Sequence, residues 1–281
     1  MRTSNGRPHS ACDGRLGGPI VVLCYPHGGA ETLSRLLSAS RSLAPTSGTG
    51  IIPLCHAAVA TWQQAEEHGR PPSALAVKSV RALAAQMITL IQARTGASRW
   101  CETAFTVTAA ATTFQQVFPE TTFVCLHRSL RAVLVEGFRA YPWGLGASPF
   151  WPYSGPHPGN NASTITAFWI SRTEDLLEFE AAHSAACMRI RHEDLVADTG
   201  AVAAEIYTYL GLTDGDLTAL NLRQPNVGRH DSRDDPDQQL PIPVDQIPSR
   251  LLAKAAELHK ELDYPTIQSH GLAAGRQADA P

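Results

Sequence analysis

Short apolar runs alternate along this chain with longer segments whose apolar residues recur at helical spacing, and this alternation narrows the possible folds most. PIVVLCY (Pro19 to Tyr25), SRWCETAF (Ser98 to Phe105), TTFVCLHR (Thr121 to Arg128) and ACMRIRHEDL (Ala186 to Leu195) read as strands. Helical patterns separate them. These run over Glu31 to Ser40, with leucines 33, 36 and 37 on one face, then Ser73 to Arg94, Thr108 to Phe118, Ser129 to Phe138 and Thr164 to His183. Two further helices are expected over Ala197 to Leu212 and Ser249 to Pro265. Strands joined through helices pair in parallel, so the pattern predicts an α/β fold with a doubly wound parallel sheet.

The 281 residues suffice for one large domain, expected over 19–267, with polar, aperiodic tails at 1–18 and 268–281. A net charge of −3 supplies no basic field for nucleic acid or an anionic membrane. Six cysteines without a CxxC pair fit a reduced, cytoplasmic protein. No apolar leader is visible at the N-terminus, and no segment reads as a membrane span. The chain lacks HExxH, GxxxxGK[ST] and GxSxG, so metal-dependent hydrolysis, P-loop kinase chemistry and a nucleophile elbow find no support.

Directly after the first strand comes PHGGAETLSRLL (Pro26 to Leu37), a glycine turn running into a helix. That arrangement presents backbone N–H groups and the positive end of a helix to an anion. Further along, TTFVCLHR leads into SLRAVLVEGF, and RHEDL closes the last strand. Together these segments resemble the sulfotransferase family, whose cofactor is 3′-phosphoadenylyl sulfate (PAPS). That family grips the 5′-phosphosulfate with a loop like PRSGTTLLxRLL and the 3′-phosphate with a segment like VRDPRAVxxS. The resemblance spans roughly residues 19 to 265 and implies a sulfotransferase-like, P-loop NTPase-like central sheet flanked by helices.

The resemblance also assigns positions. His27 stands at the basic residue of the loop, Gly28 and Gly29 keep its turn, and Arg128 matches the arginine that contacts the 3′-phosphate. Arg131 matches the second arginine of that segment, and Gly228 and Arg229 resemble the late glycine-arginine element that closes over the nucleotide. Glu31 and Glu136, however, occupy the positions of the phosphate-binding hydroxyls. A carboxylate about 4 Å from a phosphate costs on the order of 4 kcal/mol per unit-charge pair at an effective dielectric of 20. The alternative for each glutamate is a solvated residue near a helix start. Glu102, in RWCETAF, matches the acidic residue of the family's EKTP-like segment and is a candidate base; His56, His127 and His192 are further cleft candidates. His192, Glu193 and Asp194 read more simply as structural residues at a strand end.

Two enzymatic readings and one non-enzymatic reading follow. In the first, the PAPS site is degenerate and no cofactor is used, and the chain resembles the sulfate-eliminating, aziridine-forming relatives of bacterial azabicycle pathways. His27, Arg128 and Arg229 would then hold a departing sulfate, while Glu31, Glu102 or Glu136 would manage an amine and its proton. The second is a PAPS-dependent sulfotransferase, and the third a non-catalytic subunit of a partner sulfotransferase. The expected substrate is a small or carrier-protein-bound sulfated molecule, and a homo- or heterodimer is compatible with the resemblance. The loop Tyr141 to Asn161, dense in Pro, Gly and aromatics including Trp143, Trp151 and Tyr153, is expected to act as a lid.

Overall fold

The expected strands join a fifth in one parallel sheet. In the computed structural model the described residues are 17–65, 74–104, 108–212 and 242–265. The strands are β1 (Ile20–Leu23), β2 (Leu43–Ser47), β3 (Arg99–Ala104), β4 (Thr122–His127) and β5 (Cys187–Arg191), in the order β2-β3-β1-β4-β5. All four pairings are parallel. The helices are α1 (Ala30–Leu37), α2 (Ile51–Ala65), α3 (Ala74–Thr95), α4 (Thr108–Val117), α5 (Leu130–Ala140), α6 (Asn161–Ala182), α7 (His192–Ala197), α8 (Thr199–Leu210) and α9 (Ser249–Glu261). This is the α/β architecture that the alternation predicts.

Strand residues point alternately to the two faces, and the core divides accordingly. Val21 and Leu23 join Trp100, Phe114 and Phe123 in the cluster beneath α2, α3, α4 and α6. Ile20 and Val22 join Leu33, Leu37, Ile206 and Tyr207 beneath α1 and α8. Because both faces are covered, β1 carries no polar residue and is buried throughout. A third cluster caps the carboxyl end of the sheet, where Tyr25 and Phe150 meet α5, α6 and α9.

Four elements depart from the sequence reading. β2 (LAPTS) and α2 (IIPLCHAAVATWQQA) each contain a proline, which masks both patterns. Pro45 is tolerated because β2 lies at the sheet edge, and Pro53 because it sits in the first turn of α2, where a backbone N–H has no partner to lose. The end of ACMRIRHEDL is helical rather than extended, since β5 stops at Arg191 and α7 starts at His192. α3 corrects the expectation that no segment reads as a membrane span, since an 18-residue window of it has a mean hydropathy of 1.5. Leu, Val and Ile supply most of that hydropathy but Lys78, Arg81 and Gln86 interrupt them, so no unbroken apolar block stands out in the sequence, and Ala76, Val80, Ala84 and Ile88 pack the helix into this fold. The expected terminal tails fall largely outside the described residues.

β1 lies between β3 and β4, and the order of connection reverses there. In open parallel sheets, ligands bind outside the carboxyl ends of the strands at this switch point.

Candidate functional site

The turn from β1 into α1 has a geometry that only its own residues permit. Gly28 N–H donates to Tyr25 O at 2.8 Å, and a Cβ at Gly28 would lie 2.8 Å from that same oxygen. Gly29 is the N-cap of α1 at φ 90°, with no side-chain cap bond, and a Cβ there would sit 2.0 Å from Cδ2 of His192. His27 also takes a left-handed conformation, φ 65°. The turn therefore needs its glycines and leaves the start of α1 uncapped by a side chain, ready for an oxyanion.

Aromatic side chains fix the His27 ring. It stacks on Phe150, with centroids 5.3 Å apart and planes at 22°, and meets Tyr141 edge-on at 5.7 Å. Phe150 is fully buried, so the Pro- and aromatic-rich loop is packed into the third core cluster at this point. Trp143, by contrast, is 98% exposed. Burial pulls the His27 pKa below the ordinary imidazole value, with Glu136 opposing and Arg128 reinforcing the change.

Arg128 begins the β4–α5 turn and is held by its main chain. Tyr25 Oη donates to Arg128 O at 2.8 Å and accepts from Arg128 N–H at 3.0 Å, while Trp169 Nε1–H donates to the same carbonyl at 2.8 Å. The guanidinium reaches back to the glycine turn, with Nη1 donating to His27 O at 2.8 Å. Glu136 Oε2 stands 3.5 Å from that nitrogen. The following N–H groups are already bonded: Ser129 N–H to Glu193 at 2.9 Å, Leu130 N–H to His259 Nε2 at 3.3 Å, and Ala132 N–H to Ser129 Oγ at 3.4 Å. The first turn into a helix is thus open and the second is closed by protein acceptors.

His192 joins this group as the first residue of α7. Its ring packs against Gly29, and its pKa falls to about 4, first through burial and then through Arg128, with Glu193 and Glu136 opposing. His27, Gly29, Arg128, Glu136 and His192 therefore lie together at the switch point. On the other side of Tyr25 a cavity of about 20 Å³ is lined by Cys24, Thr108, Arg172 and Asp175 among others, enough for about one water-sized group.

Residues 19–216 match the sequence model of the sulfotransferase family. The chain belongs to the sulfotransferase family. Among solved structures it is similar to the sulfotransferase domain of the Synechococcus PCC 7002 olefin synthase, at 15% identity and a TM-score of 0.55, covering 88% of this chain and 94% of that one. It is also similar to sulfotransferase STF9 from Mycobacterium avium, at 11% identity and a TM-score of 0.53, covering 89% and 78% of the two chains. No curated protein matches the sequence.

In this sulfotransferase-family chain the two glutamates have different surroundings. Glu31 is 80% exposed and pairs with Arg35 one turn along α1, away from the start of the helix. Glu136 is half-exposed and faces Arg128. Glu102, expected at a strand end, lies within β3 and is buried. Its carboxylate accepts from Thr46 Oγ1 at 2.5 Å, Thr49 N–H at 2.9 Å and Thr49 Oγ1 at 3.0 Å, which ties the loop after β2 to the sheet.

The other histidine candidates are likewise placed. His56 meets Thr113 Oγ1 at 2.9 Å, joining α2 to α4. His127 is fully buried and bonded to Glu180 at 2.7 Å, and Glu180 also holds Arg189. Glu193, expected to be structural, bonds both Ser129 N–H and the Tyr264 hydroxyl at 2.9 Å. Gly228 and Arg229 lie outside the described residues. Sequence reasoning missed Tyr25, Trp169 and His259 as supports of Arg128 and its turn. Tyr25 had one signal, its position between the first strand and the glycine turn.

Proposed function

We propose that this sulfotransferase-family chain acts on an O-sulfated amine, holding the sulfate at the β1–α1 turn and expelling it as the amine closes onto the carbon that bore it. The observation that carries the reading is the closed second turn, where Arg128 faces Glu136 at 3.5 Å and the neighbouring N–H donors are bonded to Tyr25, Glu193, His259 and Ser129. Bonded donors and a carboxylate 3.5 Å from Arg128 Nη1 at that turn speak against a 3′-phosphate there and for a reaction without PAPS. Among the described residues the start of α1, uncapped by any side chain, offers an oxyanion cradle, with the Arg128 guanidinium beside it on His27 O.

The chemistry has simple demands. A C–N bond forms, the C–O bond to sulfate breaks, sulfate leaves as a dianion, and the nitrogen gives up a proton. His27, neutral at pH 7 because burial lowers its pKa, is suited to accept that proton. Glu136 offers an ammonium a counter-ion beside the cradle. An amine on the adjacent carbon would give an aziridine, and the aromatic surround of Phe150 and Tyr141 would keep water from the strained product.

The test is release of sulfate from O-sulfated vicinal amino alcohols, including 2-aminoethyl hydrogen sulfate, together with calorimetric titration of 3′-phosphoadenosine 5′-phosphate. The reading expects accelerated sulfate release and no nucleotide binding. Micromolar nucleotide affinity without sulfate release would overturn it. One observation favours a second reading, a PAPS-dependent sulfotransferase: Glu31 turns outward to Arg35 and leaves the first turn unobstructed. Glu136→Ser addresses that reading directly, because micromolar nucleotide binding gained by the variant alone would identify Glu136 as the block.

A further inference from the structure

His192 touches the glycine turn and takes no part in the proposed chemistry. Its ring takes up the space where a Gly29 side chain would be, so it is in contact with the N-cap of α1. The charged and titratable groups around it come from three directions. Arg128 faces it from the β4–α5 turn, Glu136 from α5, and Glu193 from its own helix. Glu193 is already bonded to Ser129 N–H and to the Tyr264 hydroxyl, and Glu136 lies against Arg128. Burial disfavours the imidazolium most, Arg128 adds to that, and Glu193 and Glu136 oppose it; the positive end of α1 at Gly29 lies directly against the ring.

We propose that His192 is the proton-linked partner of the oxyanion cradle, taking up a proton when a sulfate-class anion docks against Gly29 and Arg128. A docked anion at Gly29 offsets Arg128 and the helix end and places a negative charge beside the buried ring, which favours the imidazolium although the ring stays buried. Without the anion, the pKa of about 4 keeps His192 neutral at pH 7. With it, the imidazolium becomes the third cation of the cradle beside Arg128 and the helix N-terminus, and departure of the anion releases the proton. The step makes and breaks no covalent bond except N–H: the proton comes from buffer on binding and returns to it on release. This inference shares with the proposed function only the premise that the cradle binds a sulfate-class oxyanion.

The experiment is calorimetric titration of the full chain with inorganic sulfate, and separately with methyl sulfate, from pH 5 to pH 8 in buffers of different ionisation enthalpy. The expected result is proton uptake on binding, with affinity rising up to about tenfold per pH unit as pH falls through the window between the free and bound pKa values. His192→Gln is expected to abolish the proton uptake on binding and to flatten the dependence of affinity on pH. Histidine Cε1–H titration by NMR on the unaltered chain provides a second readout, in which the His192 resonance titrates at higher pH once sulfate is present. Sulfate binding with no proton uptake and an unmoved His192 resonance would overturn this inference and leave the proposed reaction standing. Failure to bind either anion at any pH would overturn the shared premise, and with it both.

Discussion

Replacing Glu102 separates a chemical role from a structural one. The carboxylate is buried within β3 and accepts three hydrogen bonds, two from Thr49 and one from Thr46. Hydrogen bonds to a charged group contribute about 1.5–3 kcal/mol each, although water recovers part of the loss at a partly exposed loop. Glu102→Ala is therefore expected to cost ~4 kcal/mol, including the cavity it leaves. At about 2–4 °C per kcal/mol for a chain of this size, the melting temperature should fall by ~10 °C. Glu102→Gln keeps an acceptor for Thr49 and turns a donor toward Thr46 Oγ1, whose own proton then goes to Cys101 O at 3.0 Å. That variant should lose only about 1 kcal/mol. Urea unfolding followed by tryptophan fluorescence measures both, and sulfate release is followed in parallel. A Glu102→Gln protein of unchanged stability whose sulfate release falls a hundredfold would refute the structural assignment and return the carboxylate to the reaction.

Acid should destabilise the protein through His192, whose folded pKa of about 4 lies below the unfolded value of ~6.5. The unfolded state gains a proton first, so stability present above ~pH 6.5 is lost as pH falls toward 4, by up to about 3 kcal/mol at ~1.36 kcal/mol per pH unit. Urea midpoints across that range check it, and His192→Gln should flatten the profile. Gly29→Ala forces a Cβ into the His192 ring at a φ of 90°. It is expected to cost at least ~1–2 kcal/mol from backbone conformation alone and to abolish sulfate binding, as read by thermal unfolding and calorimetry. Tyr25→Phe strands the Arg128 N–H that the hydroxyl accepts and is expected to cost about 1–3 kcal/mol while weakening sulfate affinity.

The sequence determined the parallel sheet, the glycine turn and the arginine after β4, because these follow from local rules. Buried parallel strands need unbroken apolar runs, helices repeat at their own period, and a turn at φ 90° requires Gly29. β2 and α2 were hidden because Pro45 and Pro53 are acceptable only at a sheet edge and in a first helical turn, positions that no local pattern announces. Glu31 and Glu136 looked alike in sequence, as acids standing at two phosphate positions. Only the tertiary structure separated them, because the nearest cation to Glu31 is Arg35 on its own helix, whereas Glu136 meets Arg128, carried on the neighbouring turn and aimed at His27 O. His192 reached Gly29 in the same way, from the start of α7 at the end of β5. Charge pairing across a fold depends on which elements lie side by side, and that is a property of the assembled sheet rather than of any segment within it.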